Sequence, residues 1–214
     1  QVDAALAALE QKTGKMFGYQ HEGGVTPDIM TISKHFGGGL PISAVCTSTE
    51  IAQTAVCNGY FATRSHATDP LLCAAGEESI NIVVDEKLPE RAAEIERKIK
   101  GVFEDWSKEF ELIGDIRGRG VLLGIELVTD RAKKTPANDE QLRLYNYALD
   151  KGLIYQSRGT RGLLNVIRLV PPMTTTDAEL DTALSILYDG LRHVSRLRRP
   201  KKTSRGKKMS HAAD

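Results

Sequence analysis

The sequence predicts an α/β chain. Short apolar, β-branched runs alternate along it with stretches whose apolar residues recur every three or four positions, and that alternation favours mixed α/β organisation. Glycine and proline clusters punctuate the joins. The composition, 41% hydrophobic and 27% charged over 214 residues, is that of an ordinary globular protein able to bury a core.

The elements follow in order. Thr26-Pro27 punctuates the chain, and Ile29, Met30 and Ile32 give residues 26–33 strand character. Gly37, Gly38, Gly39 and Pro41 break that pattern, and residues 42–47 resume a short apolar strand. From Glu86 to Glu111 the apolar positions are Leu88, Ala92, Ile95, Ile99, Phe103, Trp106 and Phe110, one face of a helix. A coiled-coil seam shares this spacing. Charges at the other positions and an end after about 25 residues favour a surface helix with one buried side. "IGDIRGRGVLLGIELV" (113–128) predicts a hairpin around Gly118-Arg119-Gly120. Its glycines do not match GxGxxG and no helix follows, so a nucleotide loop is not indicated. Residues 139–151 read as a helix stopped at Gly152. "GLIYQS" and "NVIRLVPP" read as strands around a glycine-rich loop. The last helix starts at Thr176, with Glu179 three residues on as a capping box, and continues through Leu180, Leu184, Leu187, Leu191 and Val194. We therefore expect a first part over 1–85, a second over 86–195 and a basic tail over 196–214.

Several function classes are disfavoured. Cys46, Cys57 and Cys73 are odd in number and form no CxxC pair, which reads as reduced thiols in an intracellular, cytoplasmic protein. No HExxH and no zinc-spaced Cys/His set occurs. No apolar run approaches the roughly 20 residues of a membrane span. "QVDAALAALEQ" lacks the basic and apolar regions of a secretory signal. Residues 195–214 carry eight Lys/Arg and one acid, while the whole chain has 29 Lys/Arg and 28 Asp/Glu; the body is mildly acidic and the tail strongly basic. Such a block is expected to be solvated rather than a nucleic-acid site.

Lys34 is the candidate centre. It ends the apolar run "DIMTIS", and three glycines follow almost at once. A lysine there either snorkels to the surface or serves as a nucleophilic amine made basic by desolvation. A strand end places the amine where α/β sites lie, and consecutive glycines let backbone approach a ligand closely. Arg168 is the second candidate. A guanidinium in an apolar strand before Pro171-Pro172 needs an anionic partner, either a structural ion pair or a planar carboxylate.

"TPDIMTISKHFGGGLPISAV" resembles the lysine segment of the class III (omega) aminotransferases, fold-type I enzymes dependent on pyridoxal 5'-phosphate (PLP). "TGKMFGYQHEGGVTPD" is similar to the approach to that segment, "GDIRGRGVLLGIEL" to the hairpin of the family's small domain, and "NVIRLVPPMTTTDAELDTAL" to its last strand and helix. The likeness covers about residues 12–192, in order. It implies that Lys34 is the Schiff-base lysine, which then moves a proton between the substrate's Cα and the cofactor. It implies that Arg168 binds the substrate carboxylate. In "FATRSHATDPLLCAAG" it places Ser65 where many members have a Thr that reaches the PLP phosphate across a homodimer interface. The "His-x-x-Asp-Pro" form there looks more like the 2,2-dialkylglycine decarboxylases, which would make Asp69 a ligand of an alkali-metal ion. A turn residue before proline is the other reading of Asp69. The loop "SRGTRGLLNVIR" departs from that branch's usual pattern.

The resemblance covers only the second part of a family chain. The phosphate loop, the aromatic residue that stacks on the ring and much of the large sheet are expected outside this sequence. Counting back from Thr13-Gly14, the family's Asp for the pyridine nitrogen falls at Ala4 and its Gln at Ala7. The expectation is a PLP-dependent aminotransferase passing an amino group from an amino acid or amine to a 2-oxo acid. The alternatives are a decarboxylating transaminase and a non-catalytic remnant of the same fold.

Overall fold

The computed structural model describes residues 13–61, 65–156 and 164–198. Strand β1 (Ile29–Ile32) pairs antiparallel with β2 (Ala44–Thr47), Ile29 opposite Thr47 and Ile32 opposite Ala44. Helices α1 (Thr49–Cys57) and α2 (Pro70–Asp85) follow. Ser48 caps α1 by accepting from Ile51 N at 3.2 Å. Neither helix is marked by a strong apolar period, and the sequence did not announce them. Lys87 is left-handed (φ 51°), which separates α2 from α3 (Leu88–Glu109) and starts the latter two residues later than its periodicity suggests.

The main sheet has β4 (Leu122–Asp130) at its centre. β3 (Ile113–Arg119) and β6 (Val166–Leu169) flank it antiparallel, and the two-residue β5 (Thr135–Pro136) joins its far end. Helix α4 (Asn138–Asp150) lies between β5 and β6, and α5 (Asp177–Arg198) closes the described chain. Among the described residues of "GLIYQS" only Gln156 pairs, through a single bridge to Arg168, so the expected strand reduces there to one contact. The glycine-rich loop after it falls outside the described residues. So does most of the basic tail, whose first three residues are the end of α5.

Strand alternation sends Leu123, Ile125 and Leu127 of β4, with Ile167 and Leu169 of β6, to one face, where all are buried. α3 covers that face with Ala92, Ile95, Ile99 and Phe103, the predicted stripe. α5 adds Leu180, Leu184, Leu187, Leu191 and Val194. Tyr188 of α5 packs between Trp106 and Phe110, with both ring centroids at 5.4 Å. The predicted capping box is formed: Thr176 N donates to Glu179 at 2.9 Å and Glu179 N returns to Thr176 Oγ1 at 3.3 Å. Arg91 of α3 ties this cap down, donating to Thr175 O at 2.9 Å and Asp177 at 2.8 Å.

The hydrophobic core cluster runs from Ala92 to Val194. Among the described residues before Leu88, only Gly37, Gly76 and Val83 are buried. Val45, Tyr60, Phe61 and Leu71 stand exposed there. No described helix is long and apolar enough to cross a membrane.

Phe103 has no exposed surface. Phe103→Ala is expected to cost about 3–5 kcal/mol in urea unfolding, and a loss below about 1 kcal/mol would contradict this packing. Acid sensitivity is the second expectation. The hydrogen bond from Arg91 holds the Asp177 carboxyl below its usual range, and that from Thr176 N does the same for Glu179. A depressed carboxyl contributes stability that is present above its unfolded value and lost as pH falls through the folded one. The urea midpoint should hold from neutral pH to about 5 and drop below about 4, less steeply in Arg91→Met. Identical slopes in the two proteins would sink the assignment to Arg91.

Candidate functional site

The site begins with the turn after β1. Ser33 is still extended (φ −162°), then Lys34 turns left-handed (φ 58°) and opens a single 3-10 turn, Lys34–Gly37. A side-chain-bearing residue in that region costs about 1–2 kcal/mol, so surrounding contacts must hold it. Those contacts come from the glycines. A Cβ at Gly37 would sit 2.5 Å from Ile42 Cγ2, and one at Gly76 of α2 would sit 3.1 Å from Phe36 Cζ. Gly37 packs closely against Ile42, and the small Gly76 lets α2 lie close to Phe36 of the turn.

Lys34 itself is exposed and lies two residues beyond the last residue of β1. Of the two readings open for this lysine, surface exposure rather than desolvation is what the described residues show. β1 has four residues in a two-stranded ribbon, and although the turn packs against α2, Lys34 stays exposed. The left-handed backbone points to the same residue for a different reason, since strain of this kind clusters at functional sites.

Beside the turn is a cavity of about 890 Å³. Phe36, Ile42 and Val45 form its apolar side, and Ser65, Asp69 and Asn81 are among its polar lining. Lys34 is not part of its wall. Asp69 is the N-cap of α2: its Oδ1 accepts from Leu71 N at 3.0 Å, its Oδ2 lies 3.4 Å from His66 Nδ1, and Pro70 takes the first helical position. The capping geometry matches the local reading of Asp69. Among the described residues no three His, Cys, Asp or Glu side chains gather to hold a metal.

Arg168 sits on β6 at a register position on the face opposite the core, exposed, and is among the lining of a second cavity of about 510 Å³ whose walls also include Ile99, Leu180, Leu184 and Leu187 of the core side. Among the described residues it makes no ion pair, so none of the described acids holds it in a structural salt bridge. The acids of its sheet face are engaged elsewhere. Arg117 Nη1 donates to Asp115 Oδ2 and to Glu126 Oε2, both at 2.7 Å. These bonds raise the Arg117 guanidinium further above its ordinary value, that to Glu126 most, and lower the Asp115 carboxyl. The sequence reading missed this network. Its signal was present, because Asp115, Arg117 and Glu126 alternate with apolar residues along two paired strands. Of the expected site residues, Ser65 and Asp69 share one cavity, Lys34 is on the turn that bounds it, and Arg168 borders the other.

The aminotransferase class-III family model matches residues 10–191. The chain belongs to the class III aminotransferases. It is 36% identical over 170 residues to alanine–glyoxylate aminotransferase 2 homolog 2, mitochondrial, of Arabidopsis thaliana, covering 79% of this chain and 35% of that one. It is 36% identical over 181 residues to a probable 4-aminobutyrate aminotransferase of Bacillus subtilis, covering 85% and 40%. A crystal structure of a Bacillus anthracis aminotransferase superposes with a TM-score of 0.77 at 31% identity, covering 87% of this chain and 43% of that one. The fold is thus that of PLP-dependent fold-type I transaminases, over less than half of their length. Class III aminotransferases are PLP enzymes acting on amino and keto acids.

Asp69→Ala should destabilise the start of α2 by about 1 kcal/mol, while Asp69→Asn keeps most of the cap. Amide exchange at Leu71 reads this directly, and unchanged protection in Asp69→Ala would refute the cap.

Proposed function

We propose that this class III aminotransferase chain takes part in PLP-dependent transfer of an amino group from an amino acid or amine to a 2-oxo acid. The observation that carries the proposal is Lys34, exposed and left-handed on a glycine-packed turn. Its amine has no ion pair among the described residues, so it fits a cofactor aldehyde approaching from solvent. When bound, PLP supplies an electron sink for the bond electrons released at the substrate's Cα. Lys34 Nζ then takes the proton from Cα and returns it during transfer, acting as general base and acid.

Arg168 holds the substrate carboxylate through its planar fork. Ser65, on the loop before α2, offers its hydroxyl to a phosphate oxygen of the neighbouring subunit's PLP in a homodimer. Residues 1–85 then belong to the cofactor-binding part and 86–195 to the small domain. The alkali-metal role of Asp69 stands apart from this proposal, since its oxygens already face Leu71 N and His66.

A second reading, a non-catalytic member of the fold, has one observation in its favour: the small number of buried residues before Leu88 beside exposed Val45, Tyr60, Phe61 and Leu71. The test separates the two. The purified chain is mixed with PLP, its visible spectrum recorded, and the mixture reduced with borohydride and mapped by peptide mass. The catalytic reading expects a visible band and a stable adduct on Lys34, both absent in Lys34→Ala. A spectrum that is unchanged in Lys34→Ala, or an unmodified Lys34 in the parent chain, overturns it in favour of the second.

A further inference from the structure

The sheet face that carries Arg168 holds more charge than the carboxylate reading uses. Register places Arg117 opposite Gly124, and Gly124 opposite Arg168, in one row across β3, β4 and β6. The next row is Asp115, Glu126 and Val166. Glu126 is therefore diagonal to Arg168 on adjacent strands. Such neighbours are about 7–8 Å apart at Cα, within reach of a long side chain. A glutamate so placed is the natural partner for an arginine without one. Glu126 is nevertheless turned the other way, with Oε2 on Arg117 at 2.7 Å and Oε1 3.4 Å from Asn165 Nδ2. Asn165 is itself buried and donates to Leu127 O at 2.8 Å, so that end is fixed.

Gly124 leaves the space between the two guanidinium groups open. A Cβ there would meet Val166 Cγ1 at 3.5 Å and Arg117 O at 4.0 Å, which is ordinary contact, so the fold does not require glycine at this position. Among the described residues, Gly124 places no side chain between Arg117 and Arg168 in the path of the Glu126 carboxylate.

We propose that Arg117 is a positioning residue: together with Asn165 it holds Glu126 back, and so keeps the Arg168 guanidinium open to a substrate carboxylate. This rests on the carboxylate reading of Arg168. Without Arg117, Glu126 swings onto Arg168 and competes with the ligand. Arg117 touches no substrate; it sets affinity through the partner it occupies.

The test uses the full chain and 2-oxoglutarate as probe, with affinity read by calorimetry and the arginine Nε–Hε signals followed by NMR. An exposed ion pair competes weakly, so Arg117→Met should weaken binding about fivefold and shift the free Arg168 signal. Arg117→Met/Glu126→Gln should return to within about twofold of the parent chain. Arg117→Met/Asp115→Asn restores the same net charge but leaves Glu126 in place, and should stay weak. Arg117→Gln, which keeps length and polarity, carries the same expectations if the methionine variant fails to fold. Parent-like affinity in the single variant, or equal rescue by Asp115→Asn, overturns the role of Arg117. Arg168→Gln is the separate control: undiminished binding in that variant removes the carboxylate reading itself, while lost binding there with no effect at Arg117 removes only this inference.

Discussion

One face of the main sheet must be kept from water, and much of the molecule follows from that. Leu123, Ile125, Leu127, Ile167 and Leu169 all point one way because side chains alternate along a strand. Two long helices, α3 and α5, lie over them with matching stripes. The same alternation fixes what stands on the other side. Once the isoleucines go inward, Asp115, Arg117, Glu126 and Arg168 have to go outward, and a one-residue slip in any strand would exchange the two sets. The candidate carboxylate site is thus a geometric consequence of core formation, and it lies on the part of the chain that holds the hydrophobic core cluster.

The lysine turn is built on a different principle. Little apolar mass is buried around it, and its shape comes from close backbone approach. Gly37 fits against Ile42, Gly76 against Phe36, and the left-handed Lys34 is kept in place by the paired β1–β2 ribbon on one side and α2 on the other. Contacts of this kind define direction well and contribute modestly to stability. That contrast agrees with the burial pattern, in which large buried side chains are concentrated after Leu88.

Charge on the outer sheet face is distributed so that one cation stays uncommitted. Arg117 has two carboxylates within hydrogen-bonding distance and Arg168 has none among the described residues. A single nitrogen, Nη1, reaches both carboxylates. An ion pair this exposed adds little to stability. Its consequence is the direction in which Glu126 faces.

Much of the local structure was legible in the sequence. The stripe Leu88, Ala92, Ile95, Ile99 and Phe103 announces α3, Gly118 and Gly120 announce the hairpin although its turn is Gly120-Val121 and Gly118 and Arg119 belong to β3, and Thr176 with Glu179 announces the start of α5, because period and capping chemistry are properties of neighbours along the chain. Lys34 and Arg168 could be singled out for the same reason, as charges interrupting apolar runs. Asp69 was ambiguous, since a carboxylate before proline serves equally as a turn residue or as an oxygen ligand of a cation. Whether Lys34 is buried, which acid Arg117 holds and whether Arg168 is left without a partner depend on strands and helices far apart in sequence. Register and packing decide those questions, and they exist only once the chain has folded.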